Sequence, residues 1–144
     1  MTAKHEPIQV ETVGEEQRLA FMPKHFGKQM MQIEGNVYTF ADNLLEGYSG
    51  GYWEFRETSN GAGYMAPPKP ATPTGLYRCG GPLTTADVEL SPDAAGIVVT
   101  IFALSLAIER SDGLSSVWLI AKLDNLKDFS YEHAESGAIL RAID

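Results

Sequence analysis

Cys79 is the only thiol of this 144-residue chain, and it lies between Arg78 and the pair Gly80-Gly81. A guanidinium beside a cysteine lowers the thiol pKa and favours the nucleophilic thiolate. Catalysis by a thiolate also needs a base, and no local signature of a cysteine enzyme surrounds Cys79. A plain half-buried cysteine accounts for the same residues, so the two readings stand side by side. Metal ligation fails on spacing: His5, His25 and His133 are far apart, and neither a His-x-x-x-His nor a Cys-x-x-Cys pair occurs. His25, next to Lys24, reads as a surface group, and His133 as an ordinary residue late in a helix. The glycines at 50–51 and 61–63 read as turn glycines, because neither set opens a helix or precedes the Lys-Ser/Thr pair of a phosphate loop. The residues alone therefore predict no catalytic residue, no metal and no cofactor.

Charge points to recognition instead. Glu34 falls at the edge of the apolar face of a predicted helix, where a carboxylate needs a cationic or hydrogen-bonding partner. Arg18, just before an apolar segment, is the candidate partner. The pair is either a structural ion pair at the helix margin or part of a polar cluster that shapes a partner-binding surface. Asp124, Asp128, Glu132 and Glu135 recur at four, four and three residues. If one helix runs through them they form an acidic ridge, with roughly 6 Å of rise between the first members. From Pro82 onward the chain carries ten acidic and four basic residues, and its formal net charge is -8. Such a ridge either docks on a basic, DNA-binding groove of another protein or simply keeps a helix face solvated. It is too sparse, with Lys127 interrupting it, to imitate a DNA duplex. The acidic balance argues against direct binding of DNA or RNA, which calls for a basic face.

These groups must be held by a fold. Hydrophobic residues are 44% of the chain and charged residues 21%, which suits one globular domain. Residues 1–17 are expected to be a mobile lead-in, with a short extended piece at 8–13, and 18–144 a single domain. Arg18–Met22 reads as extended up to Pro23. Apolar residues at Phe26, Met30, Ile33, Val37, Ala41 and Leu44 then describe one helix face, with Gly47 as its stop signal. Residues 52–66 read as a β-hairpin: Trp53 and Phe55 alternate toward the core, and Asn60-Gly61 supplies the turn. A three-residue loop, which places Met65 on the Trp53 face, suits the core better than a two-residue one. Leu76–Cys79 and Ala86–Leu90 are a third and fourth strand, turned by Gly80-Gly81-Pro82. Ser91-Pro92-Asp93 opens a nearly all-apolar helix near 92–110, in which Gly96, Thr100, Ala103 and Ala107 make a stripe of small residues for close approach. Its most apolar window, 94–108, is too short to span a bilayer, so a buried helix is expected and no membrane. Further helices run from about Ser115, with Leu119, Leu123 and Leu126 inward, and through the last dozen residues. The predicted architecture is α+β: a small antiparallel sheet of about four strands covered by helices. A polar N-terminus without a secretory pattern and a single cysteine fit a cytoplasmic protein.

Four segments in order, RLAFMPKHFG (18–27), YSGGYWEFRETSNGAGYMAP (48–67), LSPDAAGIVVTIFAL (90–104) and HAESGAILRAID (133–144), resemble the antirestriction protein family of the ArdB/KlcA type. The hairpin and LSPDAAGI segments are the most specific, and the proline-rich loop at 68–82 departs from the pattern. The resemblance implies a cytoplasmic protein of plasmids or genomic islands that relieves restriction by host type I restriction–modification enzymes, directly or indirectly. It implies no enzymatic role and no cofactor, and it carries over no active-site residue. Two other functions stay open: a small enzyme of unknown substrate using Cys79, and a general adaptor. The expected contact residues are Asp124, Asp128, Glu132, Glu135, Arg18 and Glu34.

Overall fold

The structure, a computed structural model, describes residues 6–80 and 87–144. His5, Ala86 and most of the turn at 80–82 lie outside the described residues. Strand β1 (Val10–Thr12) precedes helix α1 (Arg18–Phe26), and a tight turn leads into α2 (Met30–Leu44). Then come β2 (Leu45–Glu46), β3 (Glu54–Thr58), β4 (Gly63–Ala66), β5 (Tyr77–Cys79) and β6 (Val88–Leu90). Helices α3 (Pro92–Glu109), α4 (Gly113–Glu132) and α5 (Ser136–Ile143) complete the chain.

The α+β class is as predicted, but the strands form two antiparallel sheets of three, ordered β1-β3-β4 and β2-β5-β6, rather than one sheet of four. The reason lies at the free edge of β4. There α3 takes the place of a strand, and the Thr100 hydroxyl accepts the Met65 backbone N–H at 3.2 Å. The prolines of 67–73 then carry the chain away, and β5 pairs with β2 at Leu45↔Cys79 and with β6 at Tyr77↔Leu90. From Val10 the predicted lead-in is part of the first sheet, pairing Val10 with Thr58.

The hairpin has the expected three-residue loop, but it begins one residue earlier. Glu57 lies opposite Gly63, and Phe55 opposite Met65. A shift of two in the pairing sum leaves the faces unchanged, so Met65 shares the Phe55 face, and Trp53, Phe55 and Met65 are all buried.

The α3 helix is the central element, packed by α2, α4, α5 and β4. Ser91 caps it, its hydroxyl accepting Ala94 N–H at 3.1 Å, and Pro92 takes the first turn. Over its full 18 residues α3 is long and apolar enough to cross a membrane, a property that the core helix of a folded domain shares, and most of it is buried inside this fold. The small-residue stripe does what its composition predicts: a Cβ on Gly96 would stand 2.3 Å from the Met65 carbonyl oxygen.

Three helix expectations fail. Arg18–Met22 is helical, not extended, and Pro23 sits inside α1. An interior proline costs about 3 kcal/mol. The helix forms because it buries Phe21, His25 and Phe26 on one face, and Phe21 stacks on Phe55 at 4.6 Å between centroids. Phe26 therefore ends α1 instead of opening the next helix, and the chain breaks at Gly27, where φ is 60°. Gly47 is not the stop of α2, which passes directly into β2.

Candidate functional site

The predicted acidic ridge is shorter than its spacing suggested. Asp124, Asp128 and Glu132 are exposed on α4, and the Glu132 carboxylate accepts the Ile8 backbone N–H at 2.9 Å. The helix ends at Glu132, because His133 adopts an extended conformation. Glu135 lies beyond that break and turns to the start of α3, accepting the Ser91 N–H at 2.9 Å and the Ser91 hydroxyl at 2.5 Å.

Arg18 and Glu34 line one surface hollow of about 380 Å³ with Met30 and Met31, yet they form no ion pair. The Arg18 guanidinium lies over the rings of Tyr52 and Phe55, at 4.4 and 4.1 Å, and donates to the Trp53 carbonyl at 3.0 Å. Aromatic faces and a carbonyl satisfy the cation without the carboxylate.

Cys79 is fully buried, and burial pushes its thiol pKa up, away from the thiolate. Arg78 alternates to the opposite side of the strand and clasps Asp87 with two bonds of 2.8 Å. The environment that would activate this thiol is therefore absent at Cys79. Among the described residues no cluster of His, Cys, Asp and Glu is arranged to hold a metal.

The sequence reading missed two polar clusters. The first centres on Asp93, in the first turn of α3. One carboxylate oxygen accepts the Tyr64 hydroxyl at 2.6 Å and a short bond from Arg56; the other accepts His133 Nε2–H at 2.7 Å. Burial opposes the charge, but the bonds from His133, Tyr64 and Arg56 outweigh it and hold the carboxyl at about 2. Tyr64 is pushed up by burial and then by the Asp93 charge, so it stays a donor. His133 Nδ1 accepts the Glu135 N–H at 2.9 Å. Both ring nitrogens are thus taken and none is left to activate the Ser91 hydroxyl. The cluster ties the hairpin, α3, the end of α4 and the start of α5 together.

The second cluster borders a cleft of about 340 Å³ between α1, the hairpin and α4. His25, expected at the surface, is only 2% exposed. Its Nε2 meets Glu57 at 2.6 Å, and its Nδ1 lies 3.4 Å from Lys122 Nζ. Glu57 can only accept and Lys122 can only donate, so the ring is neutral with its proton on Nε2. Lys24 pairs with the same Glu57 oxygen at 2.7 Å, and Lys122 donates to the Gly61 carbonyl at 2.8 Å. Gly63 leaves the room: a Cβ there would stand 2.5 Å from the ring. The spacing carried a signal, since His25 is four residues after buried Phe21.

Burial lowers the His25 pKa below 6.5; the Glu57 bond pulls back, and Lys122 and Lys24 lower it again. The unfolded chain therefore binds more protons than the folded one in this window, and stability rises with pH. This contribution is intact above about pH 6.5 and is lost as the pH falls from there toward the folded value. The urea midpoint of the wild type should drop between pH 7.5 and 5.5, and His25→Gln should flatten that drop. Parallel slopes in the two proteins would show that His25 is not responsible.

A family model described as "Antirestriction protein" matches residues 46–144. The antirestriction protein KlcA of Escherichia coli is 40% identical over 142 residues, covering 96% of this chain and 94% of that protein. The protein YafX of Escherichia coli K12 is 35% identical, covering 95% of this chain and 88% of its own. A solved structure from the KlcA and ArdB proteins covers 100% of both chains with a TM-score of 0.83 at 40% identity. Those proteins show a novel fold and antirestriction activity against type I DNA restriction systems in vivo but not in vitro.

Proposed function

Because this chain belongs to the antirestriction protein family, we propose that it relieves restriction by type I restriction–modification enzymes in the cell, as a binding inhibitor rather than a catalyst. The carrying observation is the end-to-end likeness, at 40% identity, to proteins with that activity. The buried Cys79 thiol and the fully engaged His133 ring favour binding over chemistry. The contrast between cells and purified components in those similar proteins favours a requirement for a further cellular component, so the contact with the restriction enzyme is direct or passes through that component. The net charge of -8 supports a protein partner over bare DNA.

The exposed carboxylates Asp124, Asp128 and Glu132 are the proposed contact ridge, with the Arg18–Glu34 hollow as a further part of the surface. Glu135 is left out of the test because it braces Ser91. Cells expressing the wild type should protect unmodified phage DNA from a type I system, raising plating efficiency by orders of magnitude. Asp124→Lys with Asp128→Lys should abolish that protection while leaving circular dichroism unchanged. Failure of the wild type to protect would sink the antirestriction reading; full protection by the double variant would remove only the ridge from it.

A further inference from the structure

We propose that the outward face of α4, with the hollow beside it, seats an amphipathic helix of a partner protein, whose basic residues lie over Asp124 and Asp128. The inference rests on the reading that this chain acts through a protein contact. Leu119, Leu123 and Leu126 already bury the inner face of α4. On the outer face Leu114, Val117, Trp118 and Ala121 recur at three, one and three residues, which lines them up as a second apolar stripe. Leu114 is 87% exposed, Val117 65% and Trp118 38%. A helix needs one apolar face to join a core; a second, open to solvent, marks a contact surface.

The stripe borders a hollow of about 610 Å³ between α4 and the turn at 26–29. Gln29 is in its wall, and among the described residues the Gln29 side-chain oxygen is buried without a hydrogen-bond partner. A buried acceptor of that kind is costly until a donor reaches it. One more heptad along the same stripe, Asp124 follows Val117 and Asp128 follows Ala121, both exposed. At the other end Lys28 lines the hollow, and Lys122, whose ammonium lies 5.3 Å from the Trp118 ring centroid, donates to the Gly61 carbonyl. At its C-terminal half the exposed carboxylates Asp124, Asp128 and Glu132 outnumber the interrupting Lys127, which leaves the field there negative.

That layout selects the occupant. A helix of about 14 residues, roughly 20 Å, matches the stripe from 114 to 128. Its apolar side chains meet Leu114, Val117 and Trp118, and its basic residues meet the two aspartates. Its positive N-terminal end also belongs over the aspartates, so it runs antiparallel to α4. An anionic membrane surface would repel the acidic half. A second copy packed antiparallel would cover each copy's aspartates with the other's apolar stripe, which is unfavourable.

The test uses the full chain, isotope-labelled, titrated with a 14-residue amphipathic Leu/Lys peptide and a matched Leu/Glu peptide. The Leu/Lys peptide should saturably shift the Trp118 indole N–H and the Gln29 side-chain amide, and the Leu/Glu peptide should not. Val117→Glu, and separately Asp124→Lys with Asp128→Lys, should each weaken binding at least tenfold. In cells, Val117→Glu should lose most phage protection at unchanged protein level and circular dichroism, and Leu114→Glu should behave alike. Shifts confined to other residues, undiminished binding by Val117→Glu, or resonance shifts that grow with protein concentration alone would overturn the proposal. The peptide titration does not depend on restriction, so a wild type that fails in cells would sink the antirestriction reading and leave this result to stand or fall separately.

Discussion

Replacing Gly96 by alanine should destabilise the protein by about 3 kcal/mol or more, whereas Gly35→Ala should stabilise it by about 1 kcal/mol. Both glycines are interior to helices, where alanine is favoured by about 1 kcal/mol because it loses less backbone entropy. Propensity predicts the same sign at both positions. Surroundings separate them: a Cβ at Gly35 meets nothing within 4 Å, while at Gly96 it meets the Met65 carbonyl oxygen at 2.3 Å and the Ala66 Cα at 2.7 Å. Those are backbone atoms of β4, so no side-chain rotation relieves the clash and the helix must lift off the strand. Lifting stretches the bond from Met65 N–H to Thr100 and opens the interface between α3 and β4. Urea unfolding of the two variants beside the wild type provides the check. A Gly96→Ala protein as stable as the wild type would mean that α3 does not approach β4 at backbone distance.

The elements that could be read from the sequence are those whose signals are local. Alternation through Trp53 and Phe55 with Asn60-Gly61 marked the hairpin, and Ser91-Pro92-Asp93 before an unbroken apolar run marked α3. The division into two sheets was not legible, because β2 has two residues and shows no alternation, and because the edge of β4 is closed by a helix. Pro23 concealed α1, since the burial that outweighs its cost comes from Phe55, far along the chain. Glu135 looked like a ridge residue only while one helix was assumed to run past His133. Arg18 found rings instead of Glu34, a choice that residue type does not encode. The outward stripe of α4 was hidden by the inward one: a search for one apolar face stops at Leu119, Leu123 and Leu126.

Asp93→Ala should cost about 3–5 kcal/mol, the range for breaking a buried ion pair by removing one partner. Its carboxylate is the shared acceptor of Arg56, Tyr64 and His133, and among the described residues none of the three has another acceptor as close, the second partner of Arg56 being Glu54 at 3.2 Å. Removing it leaves a guanidinium, a hydroxyl and an imidazole N–H under-satisfied in the same part-buried space, and takes a negative charge from the first turn of α3. The wild type carries a matching acid signature. The Asp93 pKa falls from 3.8 to about 2 on folding, so its contribution is fully present above about pH 4 and is lost as the pH falls toward 2. That difference corresponds to roughly 2 kcal/mol. It is smaller than the alanine cost because protonation leaves the side chain in place and an acceptor oxygen still available. Urea midpoints at pH 7, 4 and 2.5 should fall steeply for the wild type over the last interval and more gently for Asp93→Ala. Tyr64→Phe removes one donor and leaves the carboxylate with two, so its loss should be about 1 kcal/mol. Equal losses for Tyr64→Phe and Asp93→Ala would mean that the carboxylate is not the hub joining the hairpin to the three C-terminal helices.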